Sequence, residues 1–334
     1  MESRLSVIIP TYNMAGHLPN LWTSLIRTKV IEAVDEVLFV DDGSTDDTLR
    51  VLEELKKREA YSDKLKVLPL KQNVGRFLAR FEGAKVCYGE RIIFIDSRVE
   101  LTDSFGETLK KLSTQYSSLM GAVEIDVSRS VFCLYWQRSH EFLFKEHFRA
   151  LKSPFQLNEE NFEKYLKGTT FLLCPKNLFL DICEKFKGRQ LLNDDTFVIK
   201  EIVKVQPVTI HPELKIKWTP RENLSDFLAR LWERGPSFVE YHVFNKRAKL
   251  FWLVVAGLGG FISWLVVVSL LPAFGIKLAL ISILLVFASA IFMARTITEF
   301  VRIAPLHTAV FFTFAFATLR GLVVNLVKLG RRGL

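Results

Sequence analysis

Residues 36–48 read EVLFVDDGSTDDT, and their order decides the fold. The run EVLFV (36–40) has the β-branched and aromatic content of a strand buried on both faces. Asp41-Asp42-Gly43-Ser44 interrupts it with turn chemistry. Residues 47–58 then place Leu49, Leu52 and Leu55 among charges, which is the spacing of an amphipathic helix. The same alternation extends outward on both sides. LSVIIP (5–10) is a strand stopped by a proline, and residues 18–28 read as a helix. Residues 65–70 form a third strand, 76–87 a helix, and RIIFI (91–95) a fourth strand. This order predicts an α/β domain with a mostly parallel sheet and helices on both faces. Ligands bind such sheets beyond the carboxyl ends of the strands. The polar clusters fall there: Thr11-Tyr12-Asn13, Asp41-Asp42-Gly43-Ser44 and Asp96-Ser97-Arg98. Residues 115–220 are less regular and rich in aromatics, and residues 224–234 read as a helix with Leu224, Phe227, Leu228 and Leu231 on one face.

The chain has 334 residues, 49% of them hydrophobic and 24% charged, which excludes a disordered, collagen-like or coiled-coil chain. Its net charge of +9 is unevenly spread. From residue 250 onward there are seven Lys or Arg and one acid, Glu299, so +6 belongs to a tail that is otherwise almost wholly apolar. Charges that punctuate hydrophobic runs point to anionic lipid headgroups rather than nucleic acid. Residues 250–271 are 22 consecutive residues without a charge, about 33 Å of helix against a hydrocarbon core of about 30 Å. A second span follows at about 274–294. A third apolar segment, at about 305–327, contains Arg320, and a full crossing would carry Lys328, Arg331 and Arg332 to the far side. It is read as interfacial or re-entrant. Basic residues flanking the hairpin place those loops in the cytoplasm. The expected division is therefore a cytoplasmic catalytic domain over 1–240 and an integral membrane domain over 241–334. Met-Glu-Ser-Arg followed at once by a strand is not a signal peptide, so the front of the chain is expected to stay cytoplasmic. Cys87, Cys133, Cys174 and Cys183 have no metal-ligand or disulfide spacing.

Taken alone, Asp41 and Asp42 have two readings. They belong to an ordinary strand-to-helix turn capped by Ser44, Thr45 or Asp46, or they accept the N–H groups of a base or the hydroxyls of a ribose. They do not stand alone, however. VIIPTYN (7–13), VDDGSTDDT (40–48), NVGRFLARFEGAK (73–85), IIFIDS (92–97) and LLNDDTF (191–197) together resemble the family-2 glycosyltransferases, inverting enzymes of the GT-A fold. The resemblance is strong over 5–100 and looser to about 240. It implies a GT-A-type, Rossmann-like sheet with flanking helices, followed here by the C-terminal membrane hairpin.

The resemblance also implies roles. Thr11 and Tyr12 would line a base pocket, Asp42 would hydrogen-bond the base with Asp41 beside it, and Asn73, Arg76 and Arg80 would flank the donor diphosphate. Guanidinium groups suit phosphate oxygens, although a solvated helix face explains each arginine as well. Asp96 matches the first carboxylate of the family's Asp-x-Asp, which holds Mg²⁺ or Mn²⁺. The third position departs from the pattern, with Arg98 in place of the second Asp. Either Asp96 holds the metal with neighbouring groups, Glu100 among them, or Arg98 itself supplies charge to the leaving diphosphate. A metal is expected, at Asp96. Asp195 matches the catalytic base and Asp194 its neighbour, and a helix N-cap is the alternative use of that pair. Arg230 and Arg234 would bind either an acceptor pyrophosphate or lipid headgroups, headgroups being the preferred reading, and Gly168-Thr169-Thr170 is read as lining the acceptor side.

The resulting expectation is a membrane-anchored transferase that moves a sugar from a nucleotide-sugar to a lipid-linked glycan, in polysaccharide or glycolipid biosynthesis. Two alternatives remain open. One is a polyprenyl-phosphate sugar synthase, although such enzymes carry Asp-Ala-Asp-Leu-Gln where this chain has Asp-Ser-Arg-Val-Glu (96–100). The other is a non-catalytic scaffold that kept the fold. Membrane lipids are expected partners, nucleic acid is not, and the oligomeric state is left open.

Overall fold

The computed structural model describes residues 4–58, 61–186 and 194–332. Leu191, Leu192 and Asn193 lie outside that range, as does the side chain of Asp194. Four strands form the expected parallel core: β1 (Leu5–Thr11), β2 (Glu36–Asp41), β3 (Leu65–Pro69) and β4 (Arg91–Ile95). The helices between them are α1 (Leu18–Arg27), α2 (Val30–Ala33), α3 (Thr48–Arg58) and α4 (Arg76–Val86). Alternation along β1 divides its side chains between two layers. Val7 and Ile9 join Trp22, Phe39 and Leu52 in one core cluster. Ile8 faces α4, where Gly83 lets the helix come close: a Cβ at Gly83 would sit 2.8 Å from both Ile8 and Val40 side chains.

The chain continues through β5 (Val99–Leu101), α5 (Phe105–Gln115), β6 (Leu119–Glu124), α6 (Val131–Leu143), α7 (Lys145–Ala150), β7 (Phe155–Leu157), β8 (Phe171–Pro175), α8 (Lys176–Lys185), α9 (Asp194–Val205) and β9 (Val208–Trp218). Residues 115–220 are thus more regular than their sequence suggests. The strands run β3-β2-β1-β4-β8-β6-β9-β5, with β7 paired to β9. The sheet becomes mixed beyond β4, because β8 is antiparallel to β4 and to β6 while β9 is parallel to β6. Periodicity hides β5 and β7, which are only three residues long. The β6–β9 register shifts between Gly121 and Ala122, and at Gly121 the backbone of Leu214 comes too close for any side chain.

By its contacts the chain divides into two compact units: residues up to Glu124 with Glu146–Trp218, and Ile125–Lys145 with residues from Thr219 on. Residues 125–145 and 219–240, which the sequence analysis groups with the catalytic domain, therefore pack with the C-terminal helices. That second unit contains α6, α10 (Leu224–Val243), α11 (Phe251–Leu270), α12 (Pro272–Ser289) and α13 (Ile297–Arg332). The helix expected over 224–234 runs nine residues further, through Pro236. Leu271 alone separates α11 from α12, and Pro272 opens α12 at a first-turn position that needs no N–H.

Three helices are long and apolar enough to cross a membrane: Phe251–Leu270, Ala273–Phe292 and Ile297–Gly330. Trp252, Leu270 and Phe292 are each more than 70% exposed, a surface that lipid would cover. The third apolar segment lies within one uninterrupted helix, α13. It packs along α10, most closely at Gly235 and Gly321, where an added Cβ would strike the opposing backbone. Pro236 lacks the N–H that would bond the carbonyl of Trp232. Arg320 Nη1 donates to that carbonyl at 3.3 Å, and its guanidinium lies 5.1 Å from the Trp232 ring. Asn325 Nδ2 donates to Pro236 O and Gly321 O, both at 2.8 Å. At the other end of α13, Arg138 of α6 binds Glu299 and Glu141, and Arg295 binds Glu141. The polar groups inside the third apolar segment thus hold helices together.

Candidate active site

The carboxyl ends of β1 and β2 are laced together by short polar side chains. Asn13 adopts a left-handed backbone (φ 53°). Its N–H donates to Ser44 Oγ at 3.0 Å, and its Oδ1 accepts the Thr45 N–H at 2.8 Å. Thr11 is buried, with Oγ1 donating to Val40 O, whereas Tyr12 is exposed beside it.

The two aspartates at the end of β2, Asp41 and Asp42, are buried but differ in what they bind. Both oxygens of Asp42 are occupied: Oδ1 accepts the Val74 N–H at 2.7 Å and Oδ2 the Gly75 N–H at 3.0 Å. Burial raises the Asp42 pKa, an effect these two N–H bonds partly offset. Gly43, at φ +67°, lies against the same loop, where a Cβ would come within 2.6 Å of the Gln72 backbone. Asp42 and Gly43 therefore fix residues 72–75, and with them the start of α4. Asp41 Oδ2 accepts the Ser44 N–H at 3.4 Å, while its buried Oδ1 has no hydrogen-bond partner among the described residues. A buried acceptor left open at a strand end suits an incoming N–H donor.

From α4 two arginines, one helical turn apart, reach a single carboxylate. Arg80 Nη1 lies 2.9 Å from Asp195 Oδ1 and Arg76 Nη2 3.2 Å from Asp195 Oδ2. Thr169 Oγ1 also donates to Asp195 Oδ1. The arginines are not equivalent. The Arg80 side chain is 3% exposed, donates to Thr169 O at 3.4 Å and lies over the Phe94 ring. A guanidinium buried to this degree depends on such partners to offset its desolvation. The Arg76 side chain is 36% exposed, so its ion pair is worth under about 1 kcal/mol. Burial alone would raise the Asp195 pKa. The charges of Arg76 and Arg80 and the hydrogen bonds from Thr169 and Arg80 outweigh it, holding the carboxyl well below the usual range.

Thr170 O accepts the Asp96 N–H at 3.2 Å, so the turn 168–170 ties Asp96 to the Asp195 group. Asp96 Oδ1 accepts the Arg98 N–H at 3.0 Å. Among the described residues no three His, Cys, Asp or Glu side chains are grouped to hold a metal ion. Asp96 is the one carboxylate of the Asp-Ser-Arg segment, and Mg²⁺ can be held by a single carboxylate when substrate phosphates and water complete its shell. Glu100, a suggested substitute ligand, instead pairs with Arg27, 3.9 Å away. Asp103 pairs with Arg27 as well.

Of the expected site residues, the structure joins Arg76, Arg80 and Asp195 into one cluster and places Thr11, Asp41 and Asp42 at adjoining strand ends. Asn73 is exposed on the loop that Asp42 holds. Sequence reasoning assigned Thr169 only to an acceptor-side lining and missed its bond to Asp195. Nothing in GTT (168–170) marks that contact, since the partner is 26 residues away.

Comparisons with known proteins bear on the family and the fold. Among curated relatives, an undecaprenyl-phosphate 4-deoxy-4-formamido-L-arabinose transferase of Pseudomonas syringae is 33% identical over 123 residues, 36% of this chain and 35% of the relative. The Staphylococcus aureus poly(ribitol-phosphate) beta-N-acetylglucosaminyltransferase TarS is 36% identical over 95 residues, 28% of this chain and 16% of the relative. The chain thus matches about a third or less of the length of either. Among solved structures, TarS residues 1–349 in complex with UDP-GlcNAc superpose with a TM-score of 0.52 at 18% identity, covering 94% of this chain and 89% of that one. The mannosyltransferase PcManGT of Pyrobaculum calidifontis, in complex with GDP-Man and Mn²⁺, gives 0.59 at 14% identity, covering 96% and 88%. At such identities these two show the GT-A fold alone. The pattern that defines Glycosyl transferase family 2 matches residues 6–176, just over half of the chain, including the carboxyl ends of β1, β2 and β4. With its fold and sequence in agreement, the chain belongs to glycosyl transferase family 2.

Proposed function

We propose that the protein transfers a sugar, with inversion, from a nucleotide-sugar to a lipid-linked glycan presented at the cytoplasmic face of a membrane. The observation that carries this reading is the Asp195 cluster at the carboxyl ends of the strands, in a chain that continues into three membrane-length helices. Asp41 Oδ1, rather than Asp42, accepts an N–H of the base, because both Asp42 oxygens serve the backbone. Asp195 accepts the proton of the acceptor hydroxyl as its oxygen attacks the anomeric carbon. The bond from that carbon to the diphosphate oxygen breaks on the opposite face. Arg80 and Thr169 hold Asp195 in place. Asp96 would hold Mg²⁺ or Mn²⁺, which supplies positive charge to the departing diphosphate. Arg98 adds charge from the protein.

The undecaprenyl-phosphate acceptor named for the Pseudomonas relative favours a second reading, direct loading of a polyprenyl phosphate. Transfer to undecaprenyl phosphate alone, without a preassembled glycan, would select it. The donor itself is tested by thermal-shift measurement of detergent-purified protein against UDP-, GDP- and dTDP-sugars, with and without Mn²⁺. Binding to the folded state raises its stability, so one nucleotide series is expected to raise the melting temperature. No shift with any of them would contradict the reading.

A further inference from the structure

Two guanidinium groups, those of Arg76 and Arg80, reach the Asp195 carboxylate, which bears on its use as a base. A general base works best when its pKa lies near the operating pH. With both guanidinium groups on it, Asp195 is held well below even the ordinary carboxylate range. In that state it is ionised but a poor proton acceptor. Its Oδ2, moreover, is occupied by Arg76.

Only one of the two arginines can leave. Arg80 is buried, bonded to Thr169 O and covered by Phe94. Arg76 is the first residue of α4, directly after the loop that Asp42 clamps, and its side chain is more than a third exposed. We propose that Arg76 is shared between Asp195 and the donor: the entering diphosphate draws it away, which uncovers Oδ2 for the acceptor hydroxyl only once a donor is bound. This rests on the reading that the donor diphosphate lies at these strand ends. It gives Arg76 two partners in sequence and Arg80 a single, permanent positioning role. It also makes the base and the donor compete for one cation.

That competition has a signature that a structural role lacks, because removing the base charge should tighten nucleotide binding through Arg76. The test is calorimetric titration of the full-length, detergent-purified protein with UDP, GDP and dTDP. The forms compared are the wild type, Asp195→Asn, Arg76→Gln and the double variant. Asp195→Ser serves as a second neutral form that admits water beside Arg80. The nucleotide that binds the wild type is expected to bind Asp195→Asn or Asp195→Ser roughly two- to fivefold more tightly, the fold-change of one exposed ion pair. Arg76→Gln is expected to weaken binding, and in its background neutralising Asp195 is expected to change nothing. Equal tightening with and without Arg76 would mean plain repulsion between Asp195 and the phosphates and would overturn the proposal. So would weakened or unchanged binding in both neutral forms. Failure of all three nucleotides to bind any form would instead remove the donor reading on which the proposal stands.

Discussion

Arg98 stands where the family pattern has a second carboxylate, and its neighbours limit what it can do. The nearby acids Glu100 and Asp103 both contact Arg27. Its backbone holds Asp96 Oδ1. If its side chain meets the departing diphosphate, Arg98→Ala should lower turnover far more than donor affinity, because charge on the leaving group grows towards the transition state. The expected loss is about 2–4 kcal/mol, roughly 30- to 1000-fold in rate. Steady-state kinetics with varied donor and Mn²⁺ measure it. Unchanged turnover and unchanged metal dependence would return Arg98 to the protein surface. At this scale much of the site was legible: Thr11, Asp41, Asp42, Arg76, Arg80, Asp96 and Asp195 are named by local motifs. Which partner each one takes was not legible. The open oxygen of Asp41 and the closed ones of Asp42 depend on a loop 32 residues further along. Arg80 meets Asp195 across 115 residues, a separation that no periodicity encodes.

Among the elements, α10 and α13 depend on each other. Gly235 and Gly321 allow their backbones to touch, and Arg320 takes the carbonyl that Pro236 leaves open. Arg320→Met keeps the length and apolar contact of the side chain but removes the donor. It should destabilise the protein by about 0.5–1.5 kcal/mol, the net contribution of one ordinary hydrogen bond at an exposed site. Thermal unfolding in detergent would measure the loss, and no change in melting temperature would show that water or lipid serves the carbonyl equally well. The sequence marked Arg320 as anomalous and suggested headgroups as its partner. The structure supplies Trp232, because a proline inside a helix frees an acceptor that a neighbouring chain segment can satisfy. The same kind of non-local cause explains the sheet. The parallel half was legible because each strand is followed by its own helix. The antiparallel half is assembled from strands as short as three residues, whose register is set by distant partners.

For the whole molecule, the grouping of α6 and α10 with the tail changes what truncation should do. Tyr135 and Phe227 share a buried cluster with Ile303, Ala304 and Leu306. A chain ending at residue 249 would expose that surface, so it should pellet or need detergent even though every predicted span is gone. Ultracentrifugation of the truncated protein checks this, and a monodisperse soluble product would contradict the packing. The account's central claim, transfer of sugar to a lipid-linked acceptor with Asp195 as the base, is tested most directly by labelling. Membranes carrying the wild type or Asp195→Asn are given radiolabelled UDP-, GDP- and dTDP-sugars and then extracted with organic solvent. The account predicts label in the lipid extract from one nucleotide series with the wild type and none above background with Asp195→Asn. Equal lipid labelling by both forms, or wild-type label found only in water-soluble products, would contradict it.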